Sequence, residues 1–148
     1  MPSSQKRPIA FVLASTNHGS MIVNRHDYRL VGNGGYGVGY QLLQHSSFDP
    51  EEVDLALKLL QFRKQYFGEG VVALDCGANI GVHTIEWAKW MHHWGKVIAF
   101  EAQERIFYAL AGNVALNNCF NAQVKLAAIG QNTGEMQVPQ PDYLQPSS

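Results

Sequence analysis

Asp75-Cys76-Gly77-Ala78-Asn79-Ile80-Gly81 stands between a short apolar run, residues 71–75, and an amphipathic stretch, residues 82–94. The run has the length of a strand buried on both faces. The stretch that follows carries Ile85, Trp87, Ala88 and Met91 at helical spacing. A second apolar run, residues 96–101, a second helical stretch, residues 104–118, and a third strand-like run, residues 122–129, follow in order. Strand, helix, strand, helix, strand predicts right-handed crossovers and a parallel sheet. The quoted heptapeptide is then the turn from the first strand into its helix. Ligands of open parallel sheets bind there, outside the carboxyl ends of the strands.

Glycine at 77 and 81 removes side chains, so a ligand can approach the backbone and the N–H groups that open the helix. Glu101 falls at the carboxyl end of the second strand, where an acid accepts hydrogen bonds from both hydroxyls of a ribose. Together they predict a nucleoside-containing cofactor. Dinucleotide sites use Gly-x-Gly-x-x-Gly, whose second glycine makes room for a pyrophosphate. Here that position is Asn79, and Asp75 at the loop entry repels phosphate but suits an ammonium. S-adenosylmethionine has no phosphate and carries an ammonium and a sulfonium, so the charge pattern favours it over NAD.

The heptapeptide, followed by Thr84, resembles the first motif of FkbM-type S-adenosylmethionine-dependent methyltransferases. Val97-Ile98-Ala99-Phe100-Glu101 fits the same family, as does the series Phe107, Leu110, Asn113, Leu116 and Asn117. The resemblance runs from about residue 71 to residue 130. It implies a Rossmann-like class I methyltransferase core, α/β with a partial parallel sheet and flanking helices. It implies that Asp75, Gly77, Ala78, Asn79, Gly81 and Thr84 bind the methionine end of S-adenosylmethionine and that Glu101 binds the ribose. It further implies methyl transfer to a hydroxyl oxygen of a small-molecule or glycan acceptor, by in-line attack with reacting atoms held about 3–3.5 Å apart. Ala102 departs from the family, which commonly has proline after the acid. No residue is assigned as a catalytic base.

The family fold has a seven-stranded sheet, whereas this sequence stops soon after its third parallel strand. The expectation is a chain incomplete at its C-terminus, with an open apolar edge on the first parallel strand. Such an edge is a pairing hazard. A second chain covering it, as in a homo-oligomer, is the alternative expectation.

Ahead of the core, residues 1–49 read as an N-terminal β and loop segment, and residues 50–148 as the cofactor-binding core. Strands are expected over residues 9–13, 21–24 and 28–31, and a loop over the glycine-rich residues 32–39. Gly32, Gly34 and Gly37 satisfy Gly-x-Gly-x-x-Gly, but the turn at residues 44–50 leaves no room for a phosphate-facing helix behind them. A loop over the cofactor site is the expected role. A helix over residues 50–67 is predicted from Pro50 at its first position, with Asp49 and Glu52 spaced as a capping box. Val53, Leu57, Leu60 and Phe67 form its apolar stripe. After the third strand, residues 135–138 read as a short strand, and residues 139–148 hold three prolines and little that packs.

A net charge of -1 over 148 residues leaves no electrostatic footprint for nucleic acid. No apolar run approaches the roughly 20 residues of a membrane span, and residues 9–14 are too short for a secretory core. The expectation is a cytoplasmic protein with Cys76 and Cys119 as reduced, buried thiols. His92 and His93, adjacent at a helix end, are expected to diverge and not to chelate a metal. His83 is expected to be a polar residue at a helix start, and Asn113 and Asn117 to tie their helix to nearby backbone.

Overall fold

A computed structural model describes residues 7–146. The chain opens with the hairpin β1 (Phe11–Thr16) and β2 (Gly19–Asn24), followed by a small hairpin, β3 (Arg29–Val31) and β4 (Gly34–Tyr36). Two helices follow, α1 (Val38–His45) and α2 (Pro50–Phe67). Then come β5 (Val71–Cys76), α3 (Val82–Trp90), β6 (Gly95–Glu101), α4 (Glu104–Leu116) and β7 (Ala122–Leu126). The last three strands form one parallel sheet in the order β5-β6-β7, with Ala73 beside Val97 and Ala99 beside Val124. This is the Rossmann-like α/β unit that the alternation of apolar runs predicts.

The core lies between the sheet and the helices. Val71, Ala73, Val97 and Ala99 point from the strands toward Ile85, Ala88, Ile106, Ala109 and Leu110, all buried. Met21 and Val23 of β2 and Leu42 of α1 join the same core, so the first hairpin packs against α4. Its attachment is polar as well as apolar. The fully buried Asn113 amide accepts a hydrogen bond from Ile22 N (2.6 Å) and donates to Ile22 O (3.0 Å) and Ile80 O (2.8 Å). Asn117 donates to Ser20 O (2.9 Å). These two amides tie α4 to neighbouring backbone, as their spacing on one helix face predicts.

The structure corrects several local expectations. β5 is buried on one face only, since Val72, Leu74 and Cys76 are exposed. The buried sides of β5 and β6 are those turned to α3 and α4, and among the described residues nothing packs closely over the other side. Cys76 is therefore not a buried thiol, although Cys119 is. The glycine-rich residues 32–39 are not one loop: they contain β4 and run straight into α1, so a helix does follow them. Asp49 sits in the left-handed region (φ 36°) and makes no side-chain cap, so the capping box with Glu52 is not formed. Instead Asp49 exchanges two hydrogen bonds with the Gln41 amide, at 2.9 and 3.1 Å. The α2 stripe is shallower than predicted, with Val53 buried but Phe67 exposed.

α3 ends at Trp90, four residues early. His92 and His93 therefore lie in a turn, His93 with φ 70°, and their rings meet at 3.7 Å rather than diverging. Residues 135–138 form no strand. The proline-rich tail does pack: Tyr143 lies against Phe11 with ring centroids 5.6 Å apart. Its last two residues, Ser147 and Ser148, lie outside the described residues.

Candidate functional site

The turn after β5 is shaped by three residues at positive φ, Gly77 (81°), Asn79 (52°) and Gly81 (94°). Asparagine tolerates this region better than most side chains, which is why Asn79 can stand where dinucleotide sites place glycine. Gly77 N and Ala78 N both donate to Phe100 O of β6, at 3.0 and 2.8 Å, and pin the turn across the strand ends. Gly81 caps α3, and a Cβ there would press on Leu110 of α4, so this glycine permits close packing of the two helices.

Glu101, at the end of β6, is buried, and each of its oxygens accepts one backbone hydrogen bond. Asn79 N donates to Oε2 at 3.0 Å and Gln103 N to Oε1 at 2.8 Å. The carboxylate thus locks the turn after β5 to the turn after β6, and each oxygen keeps acceptor capacity for a ligand. Glu101 and Asn79 line a cavity of about 500 Å³ together with Asn24, Asp27, Gln103 and Ile106. Residues 139–142 and Pro146 of the tail close its far side.

A second cavity of about 280 Å³ adjoins the first through Asn79, and Asp75, Gly77, Ala78, Val82 and His83 line it from the core. Val38 of α1 and Phe48 complete its wall. Asp75 is buried, and burial pushes its carboxyl above the usual carboxylate range; the hydroxyl of Thr84, donating to Oδ2 at 2.6 Å, opposes the shift. His83 is held edge-on between Phe48 and Trp87, with centroids at 5.9 and 5.5 Å.

Of the residues singled out in the sequence, Asp75, Gly77, Ala78, Asn79 and Glu101 therefore converge on two adjoining cavities. Gly81 and Thr84 line neither; they hold α3 and the Asp75 carboxylate. The glycine-rich residues 32–37 do not reach either cavity. Sequence reading missed Asn24 and Asp27, which the first hairpin delivers to the site. The signal was the pair Gly37 and Gly39: a Cβ at either would collide with the backbone carbonyl oxygen of Asp27 or Asn24. The tail was missed because prolines carry no periodicity.

Among the described residues the lining of both cavities includes Asp27, Asp75, Glu101 and Asp142 but neither lysine nor arginine. That chemistry suits a ligand that is neutral or cationic and rich in hydroxyls, and opposes a pyrophosphate.

The fold is similar to that of wild-type Trm5b from Pyrococcus abyssi, with a TM-score of 0.53 and 18% identity, over 83% of this chain and 30% of that one. An S-adenosylmethionine-dependent O-methyltransferase from Thermotoga maritima gives a TM-score of 0.46 at 14% identity, over 86% of this chain and 59% of that one. Coclaurine N-methyltransferase bound to N-methylheliamine and SAH gives 0.42 at 25% identity, over 57% of this chain and 24% of that one. This chain thus spans less than two thirds of the length of each. The likeness to Trm5b establishes the α/β arrangement and nothing finer. No family model matches the chain, and no curated protein matches it. Among the described residues no helix is long and apolar enough to cross a membrane.

Proposed function

We propose that this chain binds S-adenosylmethionine and forms the cofactor half of an FkbM-type methyltransferase acting on a hydroxyl of a small molecule or glycan. The observation that carries the reading is Glu101. Its carboxylate is buried at the end of β6, fixed by two backbone N–H groups, and lines a cavity with no lysine or arginine among the described residues. Ribose hydroxyls are donors of the right number and spacing for such a carboxylate. The residues present fit the cofactor on chemistry: acids for its ammonium and sulfonium, a side-chain-free Gly77, and apolar Ile106 for its base.

Bound there, S-adenosylmethionine would supply an electrophilic methyl group on its sulfonium. The chain's own residues would bind and orient. Glu101 would hold the ribose, and Gly77 and Ala78 would let the amino-acid end lie against backbone. An ammonium beside Asp75 would favour the ionised carboxylate and so reverse part of the shift that burial imposes. This division of labour is catalysis by positioning, which depends on the rigidity of the two turns. The acceptor hydroxyl belongs at the mouth of the second cavity, next to His83.

Calorimetric titration of the purified chain tests the reading, with NAD as the control ligand. Saturable binding of S-adenosylmethionine that is lost in Glu101→Ala supports it. A folded chain that binds NAD instead, or neither ligand, overturns it.

A further inference from the structure

Asp27 is a carboxylate that the first hairpin brings to the site with little structural employment of its own. It lies in the turn between β2 and β3, where Asn24 Oδ1 accepts a hydrogen bond from His26 N (3.0 Å) and Asp27 N donates to Asn24 O (3.2 Å). α1 is seated directly on this turn: Tyr40 N donates to Asp27 O at 3.0 Å. That seat exists only because Gly37 and Gly39 lack a Cβ, as either would strike turn carbonyls. The backbone of Asp27 is therefore rigidly placed.

Its side chain is not saturated in the same way. Oδ2 has two partners, Gly39 N and Asn79 Nδ2, both at a long 3.4 Å. Oδ1 has no hydrogen-bond partner among the described residues. Such distances are at the limit of a useful hydrogen bond, so the carboxylate keeps most of its acceptor capacity for something else.

Its location says what. Asp27 lines the cavity that contains Glu101, and its partner Asn79 is shared between that cavity and the one that contains Asp75. On the functional reading above, on which this inference rests, the ribose lies at Glu101 and the amino-acid end at Asp75. The sulfur joining them then crosses at Asn79, beside Asp27. We infer that Asp27 is a charge-sensing specificity residue that recognises the sulfonium of the bound cofactor and so distinguishes it from the neutral thioether left after methyl transfer. The C–S bonding pair stays on sulfur in that transfer, so the ligand loses its positive charge together with one methyl group and is otherwise unchanged. A fixed carboxylate at the crossing point attracts the reactant and not the product, which favours exchange of one for the other.

The test is calorimetric titration of the full chain with S-adenosylmethionine and with S-adenosylhomocysteine, which differ at this place by one methyl and one charge. Asp27→Asn keeps an acceptor for Gly39 N, so the turn is retained, and the near-ultraviolet circular dichroism checks that it is. The expected result is a loss of about tenfold for S-adenosylmethionine and less than about twofold for S-adenosylhomocysteine. The wild-type preference for the cation should shrink as salt rises from about 20 to about 500 mM, and Asp27→Glu should retain part of it. Equal losses for both ligands would reduce Asp27 to a wall of the cavity and overturn the inference while leaving the functional reading standing. No change for either ligand would overturn it in the same way. A wild-type chain that binds neither ligand would overturn the functional reading, and the inference with it.

Discussion

Two buried side chains, Asp75 and Asn113, show how individual residues hold this site. Asp75 is kept in the core beside Thr84, and burial raises its pKa. A group whose folded-state pKa is raised contributes stability that is full below its unfolded pKa and is lost as pH rises through the folded value. Ionising Asp75 in the fold therefore costs stability. Asp75→Asn, which still accepts from Thr84, should therefore gain thermal stability over wild type as pH rises above the ordinary aspartate value of about 4. The same variant should bind S-adenosylmethionine more weakly. Thermal melts across that range check the first half, and a melting difference independent of pH would contradict it. Asn113 is the opposite case, a neutral amide with its three hydrogen bonds all made to backbone. Asn113→Ala strands Ile22 N, Ile22 O and Ile80 O in the core, and should cost roughly 3 kcal/mol or more in denaturant unfolding. Because Ile80 belongs to the turn after β5, cofactor affinity should fall as well.

At the scale of the element, the parallel unit was legible because its strands and helices announce themselves by different periods. α2 was legible to the residue, Pro50–Phe67, from Pro50 and the following Gly68. Its cap was not. Asp49 has the right chemistry and spacing for a capping box, yet the Gln41 amide claims its side chain and main-chain N–H from α1. Local propensity lost to a tertiary contact eight residues away. Glu52→Ala should consequently cost only the few tenths of a kcal/mol of a helix-dipole charge, and less in high salt. A salt-independent loss near 1 kcal/mol in urea unfolding would restore the capping box. The glycine-rich segment misled for a related reason. Its glycines are spaced like a phosphate loop, but Gly37 and Gly39 serve close packing of α1 on the turn that carries Asp27. Composition reports that backbone comes close to something there, without reporting what.

Across the whole molecule, the three-stranded parallel sheet has its helices on one side. β5 has one strand neighbour among the described residues. The exposure of Val72 (47%) and Leu74 (56%) was not predicted, because an apolar run reads the same whether one face or both are covered. Exposed apolar surface beside an unpaired strand edge favours self-association. Leu74→Lys should raise the protein concentration at which light scattering sets in, with no loss of cofactor binding, since its side chain points away from both cavities. An unchanged onset would mean that this face is not what limits solubility. The site itself was half legible. Glycines and an acid at strand ends can be read by position, and Asp75, Gly77, Ala78, Asn79 and Glu101 do line the two cavities. Asn24 and Asp27 come from a hairpin more than fifty residues earlier than Asn79, and only the packing of β2 on α4 brings them there.

The central claim is that one ligand spans two cavities that share Asn79 and end at Glu101. Residue-resolved amide exchange of the chain, with and without saturating S-adenosylhomocysteine, tests it most directly. The account predicts slowed exchange at residues 77–81 and 101–103 and little change elsewhere in the sheet. Protection confined to residues 32–37, or none anywhere under saturating ligand, would contradict it.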